Sequence, residues 1–536
     1  MTQKKEYPER EAGEALAAGF PGNSEMDPSG DFGGPLYRKL REYSDSDYYG
    51  FHMPGHKRIL GGFENPYQFD ITEIDGFDDL HHPETDGILT KAQERAAELY
   101  GAEETHFLVG GSTAGILSAI SGCTCRGGRI LMARNCHRSV YHAAELRDLT
   151  AEYLYPQQIS SLGINGAICP EDVDKAMKAD GRIQAVIITS PTYDGICSDV
   201  RAIAESCHRY GVPLIVDQAH GAHFPFSGYF PEDALSAGAD VVIHSVHKTL
   251  PALTQTALLH MQGKLADRER IRRFLSIYQS SSPSYLLMAS IDACVDLLDR
   301  RGKELFGEHI RLLSAFREGC RDLKSLYLAG DDLAGNNIAE EAEERPETGR
   351  GKKTAAAWDF DRSKLLISTR KAGITGSRLS ELLLERYHLQ MEMSAPDYVV
   401  GIASAADTEE GFDRLSRALH DLDREFQEST EEKGQKGRAG NPDPDCRTAE
   451  AAGLPRLPFG MTAARAAEQE KERCALSSAA GRTAAGYVYL YPPGIPLIVP
   501  GEVVTEEAAA RMEGWLEEGF TVHGLEDGNQ LQVIKL

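Results

Sequence analysis

QAVIITS at 184–190, VPLIVD at 212–217 and DVVIHS at 240–245 decide the fold. Each is a near-continuous apolar run, the pattern of a strand covered on both faces. Between the first two lies DVRAIAESCHRYG (199–211), where Asp199 is placed to cap a helix and Gly211 to stop it. Strand, helix and strand in succession imply right-handed crossovers and a mostly parallel sheet. Upstream, the strand THFLV (105–109), the turn GGS, the helix TAGILSAISG and the strand GRILMARN (128–135) repeat the alternation. Residues 51–320 are therefore expected to form one α/β domain.

Around it the pattern changes. Residues 1–50 read as a loose arm ending in a short helix, LYRKLREYSDSD. Beyond 320, SKLLIST, YVVGIAS and GYVYLYPPGIPLIVPGE look like strands and EEAAARMEGWLEEG like a helix, so 321–536 is expected to be a smaller α+β C-terminal domain. Residues 331–355 and 428–485 are charged or rich in Ala, Gly and Pro, with few large apolar residues, and read as flexible insertions.

Fifty-seven basic against 82 acidic residues give a net charge of −25, which repels nucleic-acid backbones and anionic lipid. A mean hydropathy of −0.37 and the lack of an 18-residue apolar run argue against a membrane span. MTQKKEYPEREAGEALAAGF carries charges where a secretion signal needs an apolar stretch, so a cytoplasmic location is expected. The ten cysteines form no C-x-x-C pair and read as reduced core residues.

In a parallel sheet the chemistry lies at the carboxyl ends of the strands, where GGST, NCHRS, SPTYDG, DQAHGAH and HSVHK all fall. Lys248 directly follows a buried strand. A lysine there is either a snorkelling strand-end residue or an amine whose lowered pKa suits Schiff-base chemistry. Thirty-one residues separate it from Asp217, one crossover, so both can project from one sheet edge. Pyridoxal phosphate needs this pair: a lysine for its aldehyde and a carboxylate to keep its ring nitrogen protonated. GGSTAG (110–115), opening a helix, offers backbone N–H groups and the Ser112 and Thr113 hydroxyls to a phosphate. The turn alone is equally compatible with a nucleotide loop or a plain tight turn. His137 is placed either to stack on a flat ring or to be a hydrogen-bonded core residue. The pairs His220/His223 and His244/His247 lie at strand ends, and H-E-x-x-H is absent, so no catalytic metal is expected.

Taken together, FHMPGHKR (51–58), DITEIDGFDDLHHPETDGIL (70–89), FLVGGSTAGI (107–116), NCHRSVYHA (135–143), SPTYDGICSDV (190–200), IVDQAHGAHF (215–224), HSVHKTLPALTQTALLH (244–260), SSSPSYLLMASID (280–292) and YPPGIPLIVPGE (491–502) resemble the ornithine/lysine/arginine decarboxylase family. The resemblance implies the pyridoxal-phosphate enzymes of fold type I, with a mostly parallel, seven-stranded-type sheet. The chain is similar to the short form that lacks an N-terminal wing domain. It implies a homodimer or higher homo-oligomer, and Lys248 as the Schiff-base lysine with Asp217 on the ring nitrogen. Ala219 and His137 would cover the two ring faces, and Gly111, Ser112, Thr113, Ser245 and His247 would hold the phosphate. His220 would sit beside the cofactor and Thr192 near its phenolic edge. Ser281 or Ser282 would reach the phosphate of a neighbouring subunit. Glu502 would recognise the basic end of the substrate.

The implied reaction is loss of CO2 from a basic L-amino acid, arginine before lysine or ornithine, giving an amine or polyamine precursor. Another reaction of the same fold type, aminotransfer or β-elimination, and a non-catalytic paralogue that keeps the cofactor site are the alternatives.

Overall fold

A computed structural model of the chain describes residues 40, 43–58, 66–72, 74, 77–82, 84–333, 356–435, 454–490, 495–517 and 522–535. Two compact units result, Met1–Tyr49 and Gly50–Leu536. Of the first, residues 40, 43 and 44 are helical, within the short helix expected there, and most of the expected arm lies outside the described residues.

The second unit is built on a seven-stranded sheet. Its strands are β1 (Glu104–Leu108), β2 (Arg129–Ala133), β3 (Thr150–Leu154), β4 (Ile183–Thr189), β5 (Leu214–Asp217), β6 (Val241–His244) and β7 (Ala257–Met261), in the order β1-β7-β6-β5-β4-β2-β3. The pairs β6–β5, β5–β4, β4–β2 and β2–β3 are parallel, and β7 is antiparallel to both β6 and β1. Two antiparallel steps return β1 to the direction of β6, so β1 ends at the same sheet edge as the parallel strands. Ile130, Leu131, Ile187, Ile188, Ile215, Val216, Val242 and Ile243 have no exposed surface. Each such side chain stabilises the fold by about 1.5–3 kcal/mol relative to exposure, which is why these strands appear in the sequence as unbroken apolar runs.

Helices α1 (Gly111–Cys123), α2 (Arg138–Leu146) and α3 (Val200–Arg209) follow β1, β2 and β4. Asp199 caps α3 by accepting the Ala202 N–H at 3.0 Å, and Gly211 takes a φ of 68°, a left-handed turn that glycine adopts without a Cβ clash. The 35-residue helix α4 (Tyr285–Gly319) closes the large domain.

Beyond it, β8 (Tyr327–Leu328), β9 (Lys364–Ser368), β10 (Met393–Ser394) and β11 (Tyr398–Ile402) form an antiparallel sheet in the order β8-β9-β11-β10, with α5 (Gly376–Tyr387) and α6 (Glu409–Gln435) following β9 and β11. The expected insertion at 331–355 begins with a single turn, Asp331–Leu333; residues 334–355 lie outside the described residues.

The insertion expected at 428–485 is corrected at both ends. Residues 428–435 continue α6, and 436–453 lie outside the described residues. Residues 454–485 contain α7 (Ala463–Ala467) and β12 (Lys471–Ala475). The rest of this region is β13 (Val488–Leu490), β14 (Pro496–Ile498), α8 (Glu506–Glu517), β15 (Val522–His523) and β16 (Gln530–Ile534), with β12 antiparallel to β16. Leu476, Ala479 and Ala484 pack with Val488, Ile498, Val504 and Val533 in a core separate from that around β9 and β11. The large apolar members of this core, Val488, Ile498, Val504 and Val533, lie beyond 485, so residues 454–485 carry few of the residues that mark a core in sequence.

Candidate active site

The register of the central sheet sets the site. Asp217, the last residue of β5, lies opposite Thr189 of β4 and Ile243 of β6. Two residues past Ile243 is Ser245, which precedes the helical turn Val246–Thr249 that presents Lys248. Asp217 is buried, and its Oδ1 accepts the Ala219 N–H at 3.2 Å. Burial pushes its carboxyl above the usual range, and Lys248 opposes that shift. Burial likewise lowers Lys248, opposed by Asp217 and Glu392. Each group is therefore the other's counter-charge. Lys248 keeps some accessible surface, as a group facing a cleft does.

His220 is held between two amines. Its Nε2 lies 3.0 Å from Nζ of Lys248 and its Nδ1 lies 2.8 Å from Nζ of Lys364, which starts β9. Tyr193 packs edge-on against the ring at 4.8 Å, and its hydroxyl donates to Glu392. Burial and the two lysines hold His220 well below the ordinary histidine pKa. Lys364 is lowered to about 8 by burial, against the pull of Asp361, Glu392 and Asp194.

His137 caps α2: its Nδ1 lies 2.8 Å from Ser139 Oγ and accepts the Ser139 N–H at 3.3 Å. Its ring is accessible to solvent yet enclosed on most sides, and it is lowered to about 4 by that enclosure and by Lys248. His247 is also lowered to about 4 by burial, with its Nδ1 2.8 Å from the Thr256 carbonyl. Gly111 opens α1 at a φ of 69°, and no side chain caps the helix, so the first-turn N–H groups of Gly111, Ser112 and Thr113 face outward at the positive end of the dipole. The Ser245 hydroxyl is wholly buried with no hydrogen-bond partner.

These residues fit pyridoxal phosphate. An orphaned buried hydroxyl costs about 1–3 kcal/mol, and together with an uncapped helix start it suits an anion with several acceptor oxygens. Thr192 is buried, and its Oγ1 accepts the Ile196 N–H at 3.0 Å, closing the SPTYDG turn. Ser281 and Ser282 are exposed. The histidine pairs divide their bonds: His244 lies 2.7 Å from Gln218 Oε1, and His223 lies 3.3 Å from Asp361. Among the described residues no group of three or more His, Cys, Asp or Glu gathers around a metal-sized point, and no helix is long and apolar enough to cross a membrane.

The role expected for Glu502 is corrected. Its Oε2 accepts the Val499 N–H at 2.8 Å and pairs with Arg134 at 3.4 Å, both groups being buried. Arg134 also donates to the Pro496 and Leu497 carbonyls and to Tyr141, and lies over the rings of Tyr141 and Tyr153. Glu502 is thereby committed to fastening residues 496–502 onto the end of β2. Lys364, Glu392 and Tyr193 are site residues the sequence reading missed. For Lys364 a signal existed: like Lys248, it abuts a buried apolar run.

A lysine and an aspartate on neighbouring strand ends of a seven-stranded sheet define the class, the pyridoxal-phosphate enzymes of fold type I. Residues 34–369 match the major domain of the Orn/Lys/Arg decarboxylases and residues 455–517 their C-terminal domain. The chain is 33% identical to an arginine decarboxylase of Halalkalibacterium halodurans and 31% to one of Bacillus subtilis, in each case over 94% of its length and 97% or 98% of theirs. The crystal structure of the Francisella novicida lysine decarboxylase superposes with a TM-score of 0.69 at 22% identity, covering 94% of this chain and 82% of that one. The chain belongs to the Orn/Lys/Arg decarboxylase family.

Proposed function

We propose that this enzyme removes CO2 from a basic L-amino acid, arginine in first place, with pyridoxal phosphate bound at Lys248, and that it works as a homodimer. The observation that carries the reading is the placement of Asp217 at the end of β5 beside the end of β6, whose following turn carries Lys248, in a chain 31–33% identical to two arginine decarboxylases over 94% of its length. When bound, the cofactor supplies an electron sink for the electrons of the breaking Cα–carboxylate bond. Asp217 keeps a proton on the ring nitrogen, and burial strengthens that interaction. His137 and Ala219 cover the ring faces. Gly111, Ser112, Thr113, Ser245 and His247 hold the phosphate, and Thr192 borders the phenolic edge. Lys248 would hold the cofactor and, as a free amine, would carry a proton to the α-carbon.

An absorbance scan of the purified protein, followed by separate incubation with arginine, lysine and ornithine, tests this. Expected are a visible cofactor band and the amine of arginine with matching CO2, both lost in Lys248→Ala. Keto-acid formation without CO2 would assign aminotransfer instead. No product from any of the three would overturn the decarboxylase reading and leave the fold intact. Size measurement by light scattering checks the dimer.

A further inference from the structure

The ring of His220 stands with one nitrogen on each of two lysines, Nε2 on Lys248 and Nδ1 on Lys364. An imidazolium offers two N–H donors and no acceptor, so it can bond only neutral amines on both sides. A neutral ring has one N–H and one lone pair; it accepts from one amine and donates to the other, which must then be uncharged. With both bonds made, the three groups hold at most one positive charge. Two lysines at their ordinary pKa would hold two.

Lys364 faces Asp361, Glu392 and Asp194, whereas Lys248 faces Asp217 and Glu392. Of the other titratable groups near His220, His137 and His247 are lowered by enclosure, and Tyr193, edge-on to the ring, gives its hydroxyl proton to a bond with Glu392.

We propose that Lys364 and Lys248 share one proton through His220, so that Lys364 is the second seat of the charge that Lys248 sheds to act as a nucleophile and regains to act as an acid. With the charge on Lys364, Lys248 is a neutral amine able to attack an aldehyde. In the reverse sense, an Nζ–H bond of Lys364 breaks as Nδ1–H forms, and Nε2–H breaks as an Nζ–H bond forms on Lys248. The charge crosses the ring with no change of oxidation state. Lys248 then gives this proton to the α-carbon that has lost its carboxylate; a solvent proton taken up by Lys248, which keeps some accessible surface, resets the site as an Nζ–H bond of Lys248 breaks, Nε2–H forms, Nδ1–H breaks and an Nζ–H bond forms on Lys364. This delivery step rests on the decarboxylase reading; the sharing of the proton does not. An amine brought down to about 8 exchanges its proton readily near neutrality. Lys364 is thus a positioning residue that acts through His220.

The test uses the full chain freed of cofactor, as wild type, Lys364→Met and Lys364→Arg. Reductive methylation with formaldehyde across pH, read by mass spectrometry of the Lys248 peptide, gives the midpoint at which Lys248 becomes a free amine. Lys364→Met is expected to raise this midpoint by about one pH unit or more, because the proton has lost its second seat and stays on Lys248. Lys364→Arg, which keeps a charge it cannot release, is expected to leave the midpoint at or below the wild-type value. Both variants, reloaded with cofactor, are expected to lose about 100-fold in kcat with little change in KM. An unmoved midpoint in Lys364→Met, or wild-type kcat in Lys364→Arg, would overturn the proposal. Should Lys364→Met not fold, nitrogen-15 spectra of histidine-labelled wild type decide. A neutral Nε2–H ring at His220, assigned by loss of its signal in His220→Gln, is expected over about pH 6 to 8, and an imidazolium there overturns it. If wild type releases no CO2 from any basic amino acid, the decarboxylase reading falls while the midpoints still judge the sharing.

Discussion

Gly55 donates its backbone N–H to the carbonyl of His247 at 2.7 Å, which ties the PGHK stretch at 54–57 to the turn that carries Lys248. The Ser404 hydroxyl donates to the Gly55 carbonyl at 2.6 Å, and Lys57 donates to the Ile402 carbonyl at 2.6 Å, so the same stretch is also clamped to the end of β11. A Cβ on Gly55 would come within 2.7 Å of both the Leu250 nitrogen and the Thr249 carbonyl carbon. Backbone atoms this near have no side-chain freedom with which to yield. Gly55→Ala is therefore expected to shift the Lys248 turn and lower kcat about 10- to 100-fold, with an overpacking cost of about 1–3 kcal/mol. Turnover of the cofactor-saturated variant, set beside its urea midpoint, checks both.

Among the described residues the Ser245 hydroxyl has no hydrogen-bond partner. Ser245→Ala should leave the cofactor-free protein as stable as wild type or slightly more so, since an unpaired buried group is removed. Its cofactor dissociation constant should rise about 10-fold or more, the loss of one hydrogen bond to a charged group. Equilibrium absorbance titration measures the second effect and thermal melting the first.

Glu502 balances a fully buried guanidinium. Glu502→Gln should cost about 3 kcal/mol of stability by leaving the Arg134 charge uncompensated, while KM for the amino acid stays unchanged. A raised KM with normal stability would restore the substrate role expected from sequence. Denaturant unfolding and steady-state kinetics on one preparation separate the outcomes.

Three buried histidines resist protonation: His220 and His260 lie well below the ordinary value, and His309 is lowered to about 3 by burial, both its ring nitrogens lacking partners. In the unfolded chain each titrates near 6.5. Below that pH the unfolded state binds protons that the fold refuses. The stability these groups contribute is thus present above about pH 6.5 and lost progressively as pH falls towards about 3. His309→Leu should flatten this fall by up to about one proton. Urea midpoints from neutral pH downward, for both proteins, give the slopes.

The central sheet was legible because burial on both faces leaves Ala185–Ile188 of β4, Leu214–Val216 of β5 and Val241–Ile243 of β6 as unbroken apolar runs. Asp217 and Lys248 were legible because one crossover separates them, so their sequence spacing already brings them to one edge. Lys364 was not, although it abuts an apolar run just as Lys248 does. Its approach to His220 depends on how β9 packs against the large domain, and no local pattern encodes that. Glu502 was misread for a related reason. A carboxylate behind PGE looks the same whether it faces a substrate or an arginine, and here the arginine lies 368 residues earlier. The region 454–485 was misread because it gives its core only Leu476, Ala479 and Ala484 as buried members, the large apolar partners such as Val488, Ile498 and Leu531 lying further along the chain.

The bond between Arg134 and Glu502 also orders events in time. On the ribosome Arg134 emerges 368 residues ahead of its counter-ion, together with most of the sheet that will enclose it. Throughout that interval the end of β2 carries a guanidinium without its carboxylate, which disfavours early closure of that edge. Release of residues 496–502 removes the penalty at a stroke. A nascent chain stalled before that point would thus hold Arg134 without the carboxylate and the Pro496 and Leu497 carbonyls that meet it in the finished fold.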